Sequence, residues 1–216
     1  MAPPGATLSG AIDPAAAHLI QADPVMGELI KRLGPLSVEE RRRGRPEDPY
    51  GALLRSIVGQ QLSVKAARSI YGRVTEMFGG GTPTPEQLLA ADPEEVRAAG
   101  LSRPKVAYMR DLAEHVLDGR LELDRLNELG DEEIATELTA VKGLGQWTAD
   151  MFLMFHLGRP DILPVGDLGI RRGAERAYGL PALPAADELR ALAAPWSPQR
   201  TLACLYLWRS LDNEPG

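Results

Sequence analysis

Asp167 stands between a loop rich in glycine and proline, GRPDILPVG (158–166), and the run LGIRRGAERAYG that follows it. A carboxylate placed where a helix begins is held ionised and fixed in direction by the positive end of that helix. Such a group can stabilise developing positive charge or orient a water. The same residue type at the same place is also an ordinary helix N-cap. Asp161, the competing acid, lies inside the loop and reads as a turn residue.

A second stretch carries chemistry in its backbone. In LTAVKGLGQWTADMF (138–152) only VKGLG separates two helical patterns. One starts at a cap on Asp131 and runs to about Thr139; the other spans Gln146 to Leu157, with a stripe at Trp147, Met151, Met154 and Phe155. Glycines at 143 and 145 permit positive φ and leave the turn bare of side chains. The N–H groups at the start of the second helix then point outward and are partly positive, a geometry that holds a phosphate without a basic side chain. Taken alone, the turn reads first as a plain αα-hairpin with a glycine stop. No Gly-Lys-Ser/Thr follows the glycines, which excludes a Walker-type phosphate loop.

The elements that position these residues are helical almost throughout. Asp48-Pro49, Thr84-Pro85-Glu86-Gln87, Asp92-Pro93-Glu94-Glu95 and Ser197-Pro198 each read as a helix start. Gly100, Gly119 and Gly179 read as stops. Met109, Leu112, Ala113, Val116 and Leu117 fall at helical spacing. No alternating strand run is found, and cap-and-stop reading gives about ten helices. The expected class is all-α, with a short disordered lead at 1–12 and a core at 13–216. Within that core, one lobe covers about 49–140 and another covers 13–48 plus 141–216, with a cleft between them for a ligand.

The 216 residues suffice for one large domain or two small lobes, and 44% apolar with 25% charged residues is ordinary for a soluble protein. No stretch reaches the length of a membrane span, and the N-terminus lacks the pattern of a signal peptide. The single cysteine, Cys204, excludes an internal disulfide, a cysteine-ligated zinc and an iron–sulfur cluster built from this chain alone; it reads as buried filler in TLACLYLW. A histidine metal site is disfavoured by the count of three histidines. A cytoplasmic location fits these features. The net charge of −6 argues against nucleic acid at first sight. Acid concentrates at 84–95 and 122–137, however, while basic residues collect at RRRGR (41–45), at Lys65, Arg68 and Arg73, and at Arg171, Arg172 and Arg176. Each cluster alone reads as a solvated helix face.

Taken together, VKGLGQWTAD and ILPVGDLGIRRG resemble the signature of the helix-hairpin-helix DNA glycosylases: a G-h-G hairpin, a Gly/Pro-rich loop, then an Asp opening the next helix. GQWTA is similar to the alkylation-repair branch, the type II 3-methyladenine DNA glycosylases. IVGQQLSVKAA (57–67) and APWSPQRTLACLYLW (194–208) extend the likeness, which covers about residues 15–212.

The resemblance implies a monofunctional glycosylase that flips out alkylated bases of the 3-methyladenine or 7-methylguanine type from double-stranded DNA and hydrolyses the N-glycosidic bond. Asp167 takes the place of the essential carboxylate. Trp147 stands where bifunctional relatives carry a Schiff-base lysine, so no lyase activity is implied. Trp147, Trp196 and Leu168 match the base pocket, although core packing also explains a tryptophan. Bases methylated at ring nitrogens are cationic, and an indole face attracts such a cation by roughly 0.5–2 kcal/mol. Lys142, Gly143, Leu144 and Gly145 match the phosphate-binding hairpin. Gln61 fills the position of the wedge that replaces the flipped base, with Leu62 beside it as the other contender. The main-chain carbonyls of Thr139, Val141 and Leu144 match a site for a structural cation such as sodium, while the chemistry needs no cofactor.

There are three departures from the family pattern. Lys142 replaces the proline of many relatives, and Leu168 and Gly169 after Asp167 are smaller than the aromatic some relatives place there. The implied fold also lacks the N-terminal β-rich domain of longer members, which leaves a more open pocket. A monomer is the expected state. Two other readings stay open: a glycosylase for deaminated or oxidised bases, and a catalytically silent DNA-binding module.

Overall fold

A computed structural model describes residues 13–42 and 46–212. The lead at 1–12 and the side chains of the basic run 41–45 lie outside the described residues. Among these residues there is no strand, and thirteen α-helices follow one another. They are α1 (Pro14–Ala22), α2 (Pro24–Leu33), α3 (Val38–Arg42), α4 (Pro49–Gly59), α5 (Val64–Met77), α6 (Pro85–Ala90) and α7 (Pro93–Ala98). After them come α8 (Arg103–Leu117), α9 (Asp131–Ala140), α10 (Gln146–Phe152), α11 (Leu168–Tyr178), α12 (Ala186–Leu192) and α13 (Arg200–Asp212). No described helix is long and apolar enough to cross a membrane.

Most of the punctuation works as its chemistry dictates. The side chains of Asp48, Thr84 and Asp92 cap α4, α6 and α7, each with proline in the first turn. Thr84 and Gln87 form a reciprocal capping box. Gly100, Gly119 and Gly179 all follow helices with positive φ. Three local expectations shift. Gly130 rather than Asp131 caps α9, its N–H bound by the Glu133 carboxylate at 2.8 Å. Ser197-Pro198 does not start a helix: α13 begins at Arg200, and the Ser197 hydroxyl turns to Asp161 instead. The helix expected over 146–157 is α-helical to Phe152 and then widens into one π-helical turn, Leu153–Leu157.

The described residues divide into two compact units, one made of 13–37 and 160–212, the other of 38–42 and 46–159. In the first, α2 and α11 pack on α13, and α1 packs on α2. Leu19, Met26, Leu29, Ile170, Ala174 and the run Leu202–Leu207 form its interior, with Cys204 buried as filler. Gly173 lets α11 close on α13, because a Cβ there would lie 2.7 Å from the carbonyl oxygen of Leu207. In the second unit, α4 packs on α5 and α8, and α6 and α7 also lie on α8. Leu53, Leu54, Ile57, Met109, Leu112, Ile134 and Leu138 fill its interior.

The division differs from the expected lobes. Residues 141–159 belong with 38–140, because α10 packs on α9 and α4, while α3 packs on the π-helical turn.

Candidate active site

The hairpin is built inside the second unit. α9 ends at Ala140 and Val141 is its C-cap. Gly143 adopts φ 83°, and a Cβ on it would lie 2.2 Å from the Tyr108 ring. No other residue fits there. Gly145 is different: it has φ −97°, caps α10, and a Cβ on it would meet nothing within 4 Å. The first glycine is required by the protein itself. The second leaves open space in front of a helix start that has no side-chain cap, where an anion can approach the backbone closely. Between them Leu144 is buried and pins the turn.

Lys142 is exposed on this turn, but its ammonium lies 3.1 Å from Oδ1 of Asp111, and its backbone N–H donates to Asp111 Oδ2 at 2.8 Å. Burial alone would raise the pKa of Asp111; the Lys142 bonds and the nearby His115 outweigh it and hold the carboxyl below its ordinary range. Trp147, in the first turn of α10, is 50% exposed. The buried residues of that helix are instead Thr148, Ala149, Asp150 and Phe152, so Trp147 does not belong to its interior face. Gln61 and Leu62 also lie in this unit, exposed in the loop between α4 and α5. Gln61 has φ 59°, a left-handed conformation costly for a residue with a side chain.

The carboxylate is built inside the first unit. Asp167 caps α11, its Oδ1 accepting the Ile170 N–H at 2.8 Å. The same oxygen accepts the indole N–H of Trp208 at 2.8 Å. Gly169 makes room for that indole, since a Cβ at 169 would stand 2.8 Å from its ring. Leu168 follows, exposed. Two fixed donors therefore aim the carboxylate.

Asp161, the competing acid, is fully committed. It takes the Arg200 guanidinium at 2.7 and 2.9 Å, the Arg200 N–H at 3.2 Å and the Ser197 hydroxyl at 2.7 Å. Burial opposes ionisation, yet these partners hold its pKa below the ordinary carboxylate value. It ties the loop to the start of α13, as a turn residue should.

Trp196 departs from expectation. It is completely buried, its indole N–H donating at 2.8 Å to Asp23 in the interior of the first unit. A side chain with no exposed surface offers no face to a base. The tryptophan that meets Asp167 is Trp208, which ends an apolar run and carries no sign in the sequence of a role beyond the core. Two members of the basic clusters are structural as well: Arg73 donates to the Ala99 carbonyl at 2.7 Å and Arg171 to the Pro184 carbonyl at 2.9 Å.

No group of His, Cys, Asp and Glu among the described residues has the arrangement of a metal site. A cation at the hairpin depends on carbonyls instead. Thr139 lies in the last turn of α9, where carbonyls lack intrahelical partners, and Val141 O accepts the Leu144 N–H at 3.1 Å, which leaves it a second lone pair. Carbonyl oxygens are the donor type that hard cations take.

A helical hairpin with a bare Gly-Leu-Gly turn, and an aspartate opening the helix after a Gly/Pro-rich loop, define a class of base-excision proteins. Residues 54–199 match the family described as HhH-GPD superfamily base excision DNA repair protein, and the chain belongs to that superfamily. Among its relatives is DNA-3-methyladenine glycosylase 1 of Schizosaccharomyces pombe, 34% identical over 195 residues, covering 89% of this chain and 85% of the relative. DNA-3-methyladenine glycosylase 2 of Escherichia coli is 27% identical over 227 residues, covering 96% and 77%. In structure, the chain is similar to DNA-3-methyladenine glycosidase from Bacillus halodurans, with a TM-score of 0.83 at 40% identity over 94% of this chain and 91% of the other. The S. pombe enzyme in complex with abasic DNA gives a TM-score of 0.82 at 33% identity, covering 93% and 97%.

Proposed function

We propose that the protein is a monofunctional DNA glycosylase that removes alkylated bases, of the 3-methyladenine and 7-methylguanine type, from double-stranded DNA. The observation that carries this is Asp167, at the start of α11, with Oδ1 held by the Ile170 N–H and the Trp208 indole. The relatives named as 3-methyladenine glycosylases support it, as does the relative bound to abasic DNA.

The chemistry follows from the substrate. A base methylated at a ring nitrogen carries positive charge, so the glycosidic bond breaks with its electron pair moving onto the base ring and neutralising it. Little acid catalysis is needed. The sugar becomes oxocarbenium-like, and the Asp167 carboxylate stabilises that charge. Water adds to the anomeric carbon and loses a proton to the carboxylate or to solvent, leaving an abasic site. The base must leave the stack before any of this. Trp147 presents an exposed indole suited to a cationic base. Because residue 147 is not lysine, no imine with the sugar forms there and the strand is not cut. The hairpin amides around Gly143 and Gly145 hold a phosphate, Gln61 and Leu62 fill the gap, and a monovalent cation on the carbonyls of Thr139, Val141 and Leu144 would add positive charge at that phosphate. One chain engages one lesion as a monomer.

The test is to incubate the protein and its Asp167→Asn variant with methylated duplex DNA and identify the released bases by chromatography. The wild type is expected to release 3-methyladenine or 7-methylguanine, while the variant binds abasic-site DNA but releases little. Full activity in Asp167→Asn would overturn the mechanism. Release of uracil or an oxidised base in preference would move the protein to another substrate class, and no release from any lesion by either protein would leave a DNA-binding module.

A further inference from the structure

Three residues of α8 spaced three apart, Lys105, Tyr108 and Asp111, form one ridge of that helix, and each touches a loop proposed above to meet DNA. The Lys105 ammonium donates at 2.8 Å to the carbonyls of both Val58 and Gln60. Those carbonyls close the C-terminus of α4, where a cation is favoured. The Tyr108 ring occupies the space beside Gly143. Asp111 takes both the backbone N–H and the ammonium of Lys142. One helix face therefore seats the end of α4 at one point and the hairpin turn at two.

A direct bond then joins the two loops. Gln60 is the C-cap of α4, and its side-chain Nε2 donates to the carbonyl of Gly143 at 2.6 Å. The residues after it are the strained, exposed Gln61 and the exposed Leu62. Strain at an exposed tip persists only where its surroundings over-determine it. Here the Gln60 backbone is fixed by Lys105 and its side chain by the hairpin.

We propose that Gln60 is a positioning residue that locks the loop 59–63 to the hairpin turn 141–145 over the Lys105–Tyr108–Asp111 ridge, so that phosphate capture and entry of the loop into the base stack occur as one engagement. The inference rests on the glycosylase reading for the roles of the two loops. Gln60 touches neither the base nor the sugar. It sets the spacing between the two points at which the unit grips the duplex.

A double-mutant cycle on binding tests this. Affinity for a duplex carrying a tetrahydrofuran abasic-site analogue is measured for Leu62→Ala, Gly145→Ala and the double variant. The cycle is then repeated in the Gln60→Ala and Gln60→Glu backgrounds, with thermal melting as the control for folding. In the wild-type background the two substitutions are expected to be non-additive by about fivefold or more, since either one spoils the joint engagement. Removing the donor at position 60 should make them additive within about twofold, and Gln60→Glu should behave as Gln60→Ala because a carboxylate cannot donate to the Gly143 carbonyl. Additivity in the wild-type background, or coupling that survives both position-60 variants, would overturn the proposal. The cycle reads binding alone, so it stands apart from the base-release assay, whose failure would instead remove the glycosylase reading.

Discussion

The indole N–H of Trp208 donates to Oδ1 of Asp167 at 2.8 Å, beside the backbone N–H of Ile170 on the same oxygen. The α11 cap and the α13 tryptophan together fix which way the carboxylate points. A hydrogen bond to a charged group contributes about 1.5–3 kcal/mol. Trp208→Phe removes that donor and keeps an aromatic ring. The single-turnover excision rate should fall by roughly tenfold to a hundredfold, less than in Asp167→Asn. Affinity for undamaged duplex should hold. An unchanged excision rate would mean that the Trp208 bond does not aim the carboxylate.

Gly169 admits the same indole. A Cβ at this position would stand 2.8 Å from Cδ1 and 2.9 Å from Nε1 of Trp208, and 3.0 Å from Oδ1 of Asp167. Gly169→Ala must push the ring away or displace the carboxylate, with overpacking costs of about 1–3 kcal/mol. Excision by folded protein should fall with it. Gly173→Ala is the comparison: its Cβ would run into the Leu207 backbone at 2.7 Å, so it should lower the melting temperature while excision per folded molecule stays closer to wild type. Equal effects of the two variants on both readouts would refute the separation.

The glycines of the hairpin separate in the same way. Gly143→Ala meets both a positive φ and the Tyr108 ring, so it should melt several degrees lower; a loss of about 1 kcal/mol alone moves a chain of this size by roughly 2–4 °C. Gly145→Ala has ordinary φ and open space and should melt with the wild type. Its methyl group would stand where a phosphate approaches the amides, so its affinity for duplex DNA should drop by about tenfold, the effect of losing roughly 1.4 kcal/mol. Wild-type affinity in Gly145→Ala would remove the hairpin from the DNA interface.

How far the sequence carried depended on the range of the interaction. Asp48, Thr84 and Asp92 were legible as caps because a cap is satisfied within three residues of itself, and the GLG turn was legible for the same reason. Asp167 was legible as a cap, but its second donor comes from 41 residues away, and nothing in TLACLYLW distinguishes a tryptophan on the carboxylate from one in the interior. Trp196 fails in the opposite direction. Its indole finds Asp23 at a separation of 173 residues, and the pairing closes it into the core. Gln60 was silent for a further reason: glutamine next to glutamine in GQQLS gives no sign of which one turns inward to the hairpin and which stays at the tip.

Asp23 yields a pH prediction with a definite sign. It is buried, and burial by itself would raise its pKa, but hydrogen bonds from Tyr178, Trp196 and the Met26 and Val25 N–H groups outweigh that and set it below the ordinary value of 3.8. A carboxyl whose pKa is depressed on folding contributes stability that is complete above its unfolded value and is lost as pH falls through its folded value. Asp23→Asn should therefore be less stable than the wild type at neutral pH by about 1–3 kcal/mol, the range for breaking one buried charged network partner. The gap should narrow only on acidification below about pH 4, where the wild type alone must take up a proton at this site. Urea denaturation of both proteins from neutral pH into that acid range measures it, and parallel stability curves across the whole range would show that the Asp23 charge contributes nothing.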